Sequence, residues 1–469
     1  MQHTARHRDN MYSFKKINAL IVCTALAIAF SFAPAFAATP KSGSRCANFG
    51  ESIIASGKKF TCLMVGSKQV WNKGTKVKVE TKSTISNTKL SLAEFVASAN
   101  SAKNNSLNQI PNFDSSATVR ITPVQSNLLA HFVTANSEKK FSFIGPTPLP
   151  ETDPGRAGAV SLITKDQRAV YQSQSALPPW AATFKFTTTD PQGRFVVVTS
   201  GQSNQGDRNY SWRLVFKSNA NSWKYQSIAG TTHAIDGKKN FDEVSLGAPG
   251  TYSLHLEFDN STTFYGIGTN DEATSITTES NFSTPRVVVL GDSWVYPVFN
   301  ETNPVHVWDA FPGALSWLTG WNVISSGVRG QGYLQVAAGE TYKNRVVRDL
   351  VPQNPDVVIF TGSPNDHCEF CTYTDQQIAS EMGNAIKSLR QANPSILIIA
   401  CSPFEGSPTQ AQAMQAVAVA AGIPFINFIA LPLFDSNNNG KGQLGRGHPS
   451  RLGSAYIANQ LLKSLSELK

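Results

Sequence analysis

Four residues toward the C-terminus have the types and settings that acyl transfer needs. Ser293 follows the run Arg286-Val-Val-Val-Leu-Gly-Asp292. Val287 to Leu290 reads as a buried parallel strand, and Gly291-Asp292-Ser293 as the turn at its carboxyl end. In open α/β sheets, chemistry sits at that edge. N–H groups at the start of the next helix stabilise negative charge near a serine oxygen placed there. A serine nucleophile also needs a base and donors for the oxyanion. His448, in Gly447-His-Pro-Ser450, stands in the loop before the last helix and is placed to reach Ser293 as general base. Gly330, in Ser326-Gly-Val-Arg-Gly-Gln-Gly332, follows the strand at 322–325; a glycine lets a backbone N–H approach a ligand closely. Asn365, in Thr361-Gly-Ser-Pro-Asn-Asp366, follows the strand at 356–360 and carries a donor amide. Each has a plainer reading: a turn serine, a helix-start histidine, a turn glycine beside Gly327 or Gly332 as the donor, an Asx-turn asparagine.

These positions demand a sheet whose strand ends converge. Residues 284–469 supply one by alternating strand and helix. After the Ser293 strand come a helix around 307–318 and strands at 322–325 and 356–360. Then follow a helix at 376–391, a strand at 396–400, a helix at 409–421 and a short strand at 425–428. Ser450 caps a closing helix that runs to Leu468. The pattern predicts an α/β fold with a doubly wound, flavodoxin-like parallel sheet.

Taken together and in order, Gly-Asp-Ser, Gly-x-x-Gly, Asn-Asp and His-Pro resemble the SGNH (GDSL-type) hydrolase family over about 285–469. The resemblance implies a nucleophile at Ser293 and a base at His448. It implies oxyanion donors at Gly330 and Asn365, with the Ser293 N–H, and no metal or organic cofactor. Two positions depart from the family pattern. The Asp usual three residues before the His is replaced by Gly445, which implies a Ser–His dyad or an orienting role for Asp435. Gly362-Ser-Pro-Asn365 is one residue longer than the family's Gly-x-Asn-Asp. Trp294 and Tyr296 read either as a sugar platform or as core packing.

Upstream, the chain reads as targeting and accessory segments. Lys15 and Lys16, an apolar run from Ile17 to Phe36 and the Ala35-Phe-Ala37 site read as an export signal over 1–37, leaving no membrane span after cleavage. Residues 38–80 form a small basic unit with too few apolar residues for a core; a Cys46–Cys62 bridge and Trp71 are expected to hold it. Residues 81–149 read as a connecting region, with a helix near 90–102 and strand-like pieces near 119–122 and 128–133. Residues 150–283 carry β-rich segments around Ala182, Arg194, Trp212 and Tyr252, separated by turn residues, as in a β-sandwich or jelly roll.

The formal net charge is +9, and residues 39–90 alone hold ten Lys or Arg against two acids. The basic balance therefore belongs to the small module, which suits an anionic wall polymer or merely a soluble surface; nothing in it suggests nucleic acid. Cys368-Glu-Phe-Cys371 is expected to be a local disulfide stiffening the Asn365 loop, and Cys401 a buried free thiol. Asp435-Ser-Asn-Asn-Asn-Gly440 begins like a calcium loop, but Arg446 stands where its closing Glu would be. The combined reading is a secreted or wall-associated serine esterase that removes a short acyl group, acetyl for preference, from carbohydrate or wall polymer. The alternatives are a general short-chain esterase or lipase, and a degenerate hydrolase fold that only binds wall glycan.

Overall fold

The computed structural model describes residues 41–45, 52–55, 58–65, 68–71, 73, 75–76, 90–105, 107–116, 118–124, 131–137, 140–146, 148–150, 159–161, 179–200, 212–218, 222–227, 239–258, 262–269, 274–279, 282–296, 306–337, 340–367, 371–431 and 448–469. Two compact units are present, one within residues 1–87 and one spanning 88–469. The first is a four-stranded antiparallel sheet in which Trp71 is buried and its carbonyl accepts the Gly43 N–H at 2.7 Å. Cys46 and the export-type segment lie outside the described residues. Among the described residues, no helix is long and apolar enough to cross a membrane.

The second unit carries the parallel sheet. Its strands are β1 (Ser283–Gly291), β2 (Trp321–Gly327), β3 (Val357–Phe360), β4 (Leu397–Cys401) and β5 (Phe425–Ile426). They pair in the order β2-β1-β3-β4-β5, and every pairing is parallel. The run Val287–Leu290 explains why β1 is central. Its side chains alternate between two apolar layers, and all four are fully buried. Val287 and Val289 pack with the helices Leu92–Ala102, Phe311–Thr319 and Arg451–Ser466. Val288 and Leu290 pack with Asp375–Ala392 and Pro408–Ala420. An apolar run served on both faces is the mark of a doubly wound sheet. The order 2-1-3-4-5 puts the switch point between β1 and β3, where ligands bind beyond the carboxyl ends.

Two seven-stranded sheets complete this unit. The strands Trp180–Thr188, Arg194–Ser200, Arg213–Ser218 and Gly250–Phe258 form where β-branched and aromatic residues were expected. Phe184, Phe195, Leu254 and Phe264, drawn from both sheets, lie in one core. The connecting region expected over 81–149 also builds this unit, from residue 90 onward among the described residues. Phe95 and Ala99 of the first helix enter the parallel sheet's core, and strands such as Arg120–Pro123, His131–Thr134 and Ser142–Ile144 extend the two sheets. Arg120–Pro123 and His131–Thr134 overlap the strand-like pieces expected near 119–122 and 128–133, whereas Ser142–Ile144 is too short for periodicity to mark it.

A buried ion network ties the β-rich layers to the parallel-sheet layer. Arg213 (2% exposed) bonds Glu257 beside it and reaches Asp309 at 2.7 Å. Asp309 also accepts Arg451 Nε at 3.2 Å, and Arg451 bonds the Pro111 carbonyl. The Arg213 and Arg451 guanidiniums each lie 4.7 Å from the Tyr225 ring centre. Burial opposes ionisation of Asp309, but the two guanidiniums overcome it and hold its carboxyl below the usual range. Arg451 begins the last helix, three residues after His448.

Candidate active site

Three strand ends meet where the switch point requires. β1 ends in Gly291 and leads to Asp292-Ser293. β2 ends in Gly327 and leads to the Gly330–Gly332 turn. β3 ends in Phe360 and leads to Thr361–Asp366. The fourth contributor comes from the far end of the chain. Ser450 Oγ accepts the Gly453 N–H at 3.0 Å, which starts the last helix and sets the loop before it. In that loop His448 Nε2 lies 2.8 Å from Ser293 Oγ, across 155 positions of sequence. Ser293 itself is 7% exposed.

Asp292 is the hub beside this pair. Its carboxylate accepts the Trp294 N–H at 2.9 Å, the Ser363 hydroxyl at 2.6 Å and the Asn365 amide at 3.1 Å. The Asn365 amide also lies 3.1 Å from the Gln331 carbonyl and 3.0 Å from Ser363 Oγ. Asn365 is therefore joined to the serine turn through Asp292 and to the glycine turn through Gln331. Gly330 lies on the exposed surface of that turn at φ +72°, a left-handed conformation that favours glycine. Ser363 lies in the longer loop Gly362-Ser-Pro-Asn365. Its hydroxyl donates to Asp292 and accepts the Asn365 N–H, which ties the longer loop to the serine turn.

Asp366 holds the glycine turn from beneath. Its carboxylate accepts the backbone N–H groups of Tyr333, Leu334 and Gln335, each at 2.9 Å. A Cβ on Gly332 would stand 2.3 Å from Asp366 Oδ1. Gly332→Ala is expected to push Asp366 off these bonds and to lower turnover about a hundredfold, since displacements near 1 Å have that effect. Rates against circular dichroism check it: a folded variant with wild-type turnover would contradict the assignment.

The electrostatics centre on Asp292. Burial pushes its carboxyl up to about 7 against its hydroxyl and N–H donors, and nearby Asp366 pushes the same way. An unfolded aspartate ionises at about 3.9. Between those values the folded state holds a proton that the unfolded state has released. Stability from this group therefore falls as pH rises from about 4 to about 7, and is level above. Denaturant melts across that range should show the slope in the wild type and lose it in Asp292→Asn; an equal slope in both would exclude Asp292 as its source.

Trp294 and Tyr296, read as platform or core, are core. Trp294 is 2% exposed and stacks on Phe404 at 5.0 Å, and Tyr296 lies under Arg329. Cys371 is disulfide-bonded, while Cys368 lies outside the described residues. Cys401 is buried and free. Asp435 and Gly445, the positions bearing on a third triad member and on the calcium-loop pattern, lie outside the described residues. Among the described residues, no cluster of His, Cys, Asp or Glu could hold a metal ion.

With this geometry in place, residues 289–456 match the GDSL-like lipase/acylhydrolase family. The chain carries a GDSL-type acylhydrolase domain. As a class, that domain is a carboxylic ester hydrolase. No curated protein matches the chain in sequence. Similar solved structures include an active-site mutant of a family two carbohydrate esterase from Clostridium thermocellum, at 14% identity and TM-score 0.49, over 70% of this chain and 98% of that one. An acetyl xylan esterase from the rumen bacterium Butyrivibrio proteoclasticus is similar at 13% identity and TM-score 0.46, over 74% and 98%. A salicylyl-acyltransferase from a tetracycline biosynthetic pathway is similar at 10% identity and TM-score 0.46, over 72% and 98%. The matched segment of the acylhydrolase domain spans Ser293, Gly330, Asn365 and His448.

Sequence reasoning missed Asp292 as a hub, Ser363, Gln331 and Arg345. The signal for Asp292 was its place inside Gly-Asp-Ser. Ser363 was marked by the loop's extra length. Gln331 and Arg345 had no local signal.

Proposed function

We propose that the acylhydrolase domain removes a short acyl group, acetyl for preference, from an acylated carbohydrate or wall polymer outside the cell. The observation that carries the reading is the 2.8 Å approach of His448 Nε2 to Ser293 Oγ beside the Asn365 loop. Ser293 Oγ attacks the ester carbonyl, and His448 takes the hydroxyl proton. The N–H groups of Ser293 and Gly330 hold the oxyanion, with one N–H of the Asn365 amide turned from its present acceptors. His448 returns the proton to the leaving hydroxyl, giving an acyl-serine and a free alcohol. Water, activated by His448, then releases the acid.

A short acyl group suits a serine that is 7% exposed and flanked by Trp294 packed on Phe404. A polymer outside the cell suits the export-type segment and the lysine-rich stretch of residues 39–90 that contains most of the small basic module. The test is acetate release from an aryl acetate, acetylated xylan and acetylated peptidoglycan, with Ser293→Ala as control. Release from a polymer that the variant loses is the expected result. Release from aryl esters alone would favour a general short-chain esterase. No serine-dependent release from any ester would leave a glycan-binding protein.

A further inference from the structure

We propose that Arg345 is a positioning residue for the oxyanion-binding loops, a role resting on the ester-hydrolase reading above. Arg345 ends the short helix Tyr342–Arg345, where the chain widens into a π-helical turn at Val346–Leu350. Its side chain is fully buried. All five guanidinium donors are engaged, and four of them face the loops that carry the site. Nη1 lies 2.9 Å from Gln331 Oε1 and 3.4 Å from the Gly291 carbonyl. Nη2 lies 2.8 Å from the Ser326 carbonyl and 2.7 Å from its hydroxyl. Nε pairs with Asp349 at 3.1 Å.

One planar cation thus joins the end of β1, the end of β2 and the glycine turn. Gly291 lies two residues before the nucleophile, and Gln331 one residue after Gly330. Gln331 passes the connection onward. Its amide nitrogen reaches the Ala337 and Glu340 carbonyls at 3.2 and 3.0 Å, while its backbone carbonyl faces the Asn365 amide. The spacing between the Ser293, Gly330 and Asn365 donors is therefore set by a group that touches none of them. A rigid fork serves four acceptors at fixed angles, and lysine, with three mobile donors, cannot. Oxyanion donors act through preorganisation, so losing the fork should lower turnover more than substrate binding.

The experiment uses the full chain and an aryl acetate. Gln331→Met keeps the backbone carbonyl and cuts the side-chain bonds to Arg345 and to the Ala337 and Glu340 carbonyls; Arg345→Lys keeps the charge and removes the fork. Each is expected to lower kcat roughly ten- to a hundredfold with KM within about threefold. Combined with Asn365→Ala, Gln331→Met is expected to cost far less than it does alone, because both act on the same oxyanion. If Arg345→Lys does not fold, the Gln331→Met cycle decides. Wild-type kcat in folded Gln331→Met, or a fully additive cycle, would overturn the positioning role while leaving the esterase standing. A wild type without serine-dependent turnover would overturn both.

Discussion

Ser293→Ala should lower kcat for ester hydrolysis by about 10⁵- to 10⁶-fold, with KM nearly unchanged. The magnitude follows from serine hydrolases in which the nucleophile and base act as one unit. Ser293 Oγ and His448 Nε2 are 2.8 Å apart, so neither has the catalytic use alone that it has with the other. His448→Ala is therefore expected within about tenfold of Ser293→Ala, and the double variant no slower than the worse single one. Stopped-rate assays on one aryl acetate check this. Multiplying effects in the double variant would mean that the two residues serve separate steps.

Asp309→Ala is expected to lower folding stability by about 3–5 kcal/mol, the range for breaking a buried ion pair from one side. Asp309 is the shared acceptor for Arg213 and Arg451. Removing it leaves Arg451 beside Arg213 with no carboxylate between them. Glu257 still pairs with Arg213, which keeps the effect from being larger. Urea melts of wild type and variant measure it directly; a loss under about 1 kcal/mol would show that the network is solvated enough to be dispensable. Because Arg451 starts the helix after His448, the surviving folded fraction should also turn over more slowly.

Much of the α/β half was legible because its signals are local. Val287–Leu290 is four apolar residues long and is served on both faces of the sheet, which is why it read as a parallel strand. The helices at Asp375–Ala392, Pro408–Ala420 and Arg451–Ser466 announced themselves by their spacing, the last also by its Ser450 cap; Thr374 and Ser407 cap the other two in the structure. Ser293 and His448 were legible as a pair because each sat at a strand or helix end with turn residues around it. The β-rich layers were legible only where strands were long. Strands of two to four residues between 112 and 150 carry little alternation, so only the pieces near 119–122 and 128–133 stood out and the region read as a connection.

What supports the site was the least legible part. Arg345 sits in a four-residue helix, too short for periodicity, and its partners are backbone carbonyls and polar side chains of distant loops. A buried arginine of that kind has no sequence mark, because its environment exists only once β1 and β2 have paired. Asp366 stood in the Asn-Asp motif, but its supporting role was not legible, because its three N–H partners lie 31 to 33 positions away. Trp294 and Tyr296 could be read two ways because the turn they occupy fixes which side faces the core, and turn geometry was not visible in the residues alone.

In the proposed reaction, Ser293 carries the acyl group between two half-reactions. The most direct measurement is to mix the protein with an aryl acetate, quench during the first turnover in acid, and map the acetylated peptide by mass spectrometry. One acetyl group is expected on the peptide containing Ser293, formed with a stoichiometric burst of the aryl alcohol and absent in Ser293→Ala. Acetyl on another residue, or hydrolysis that continues in Ser293→Ala at the wild-type rate, would contradict it.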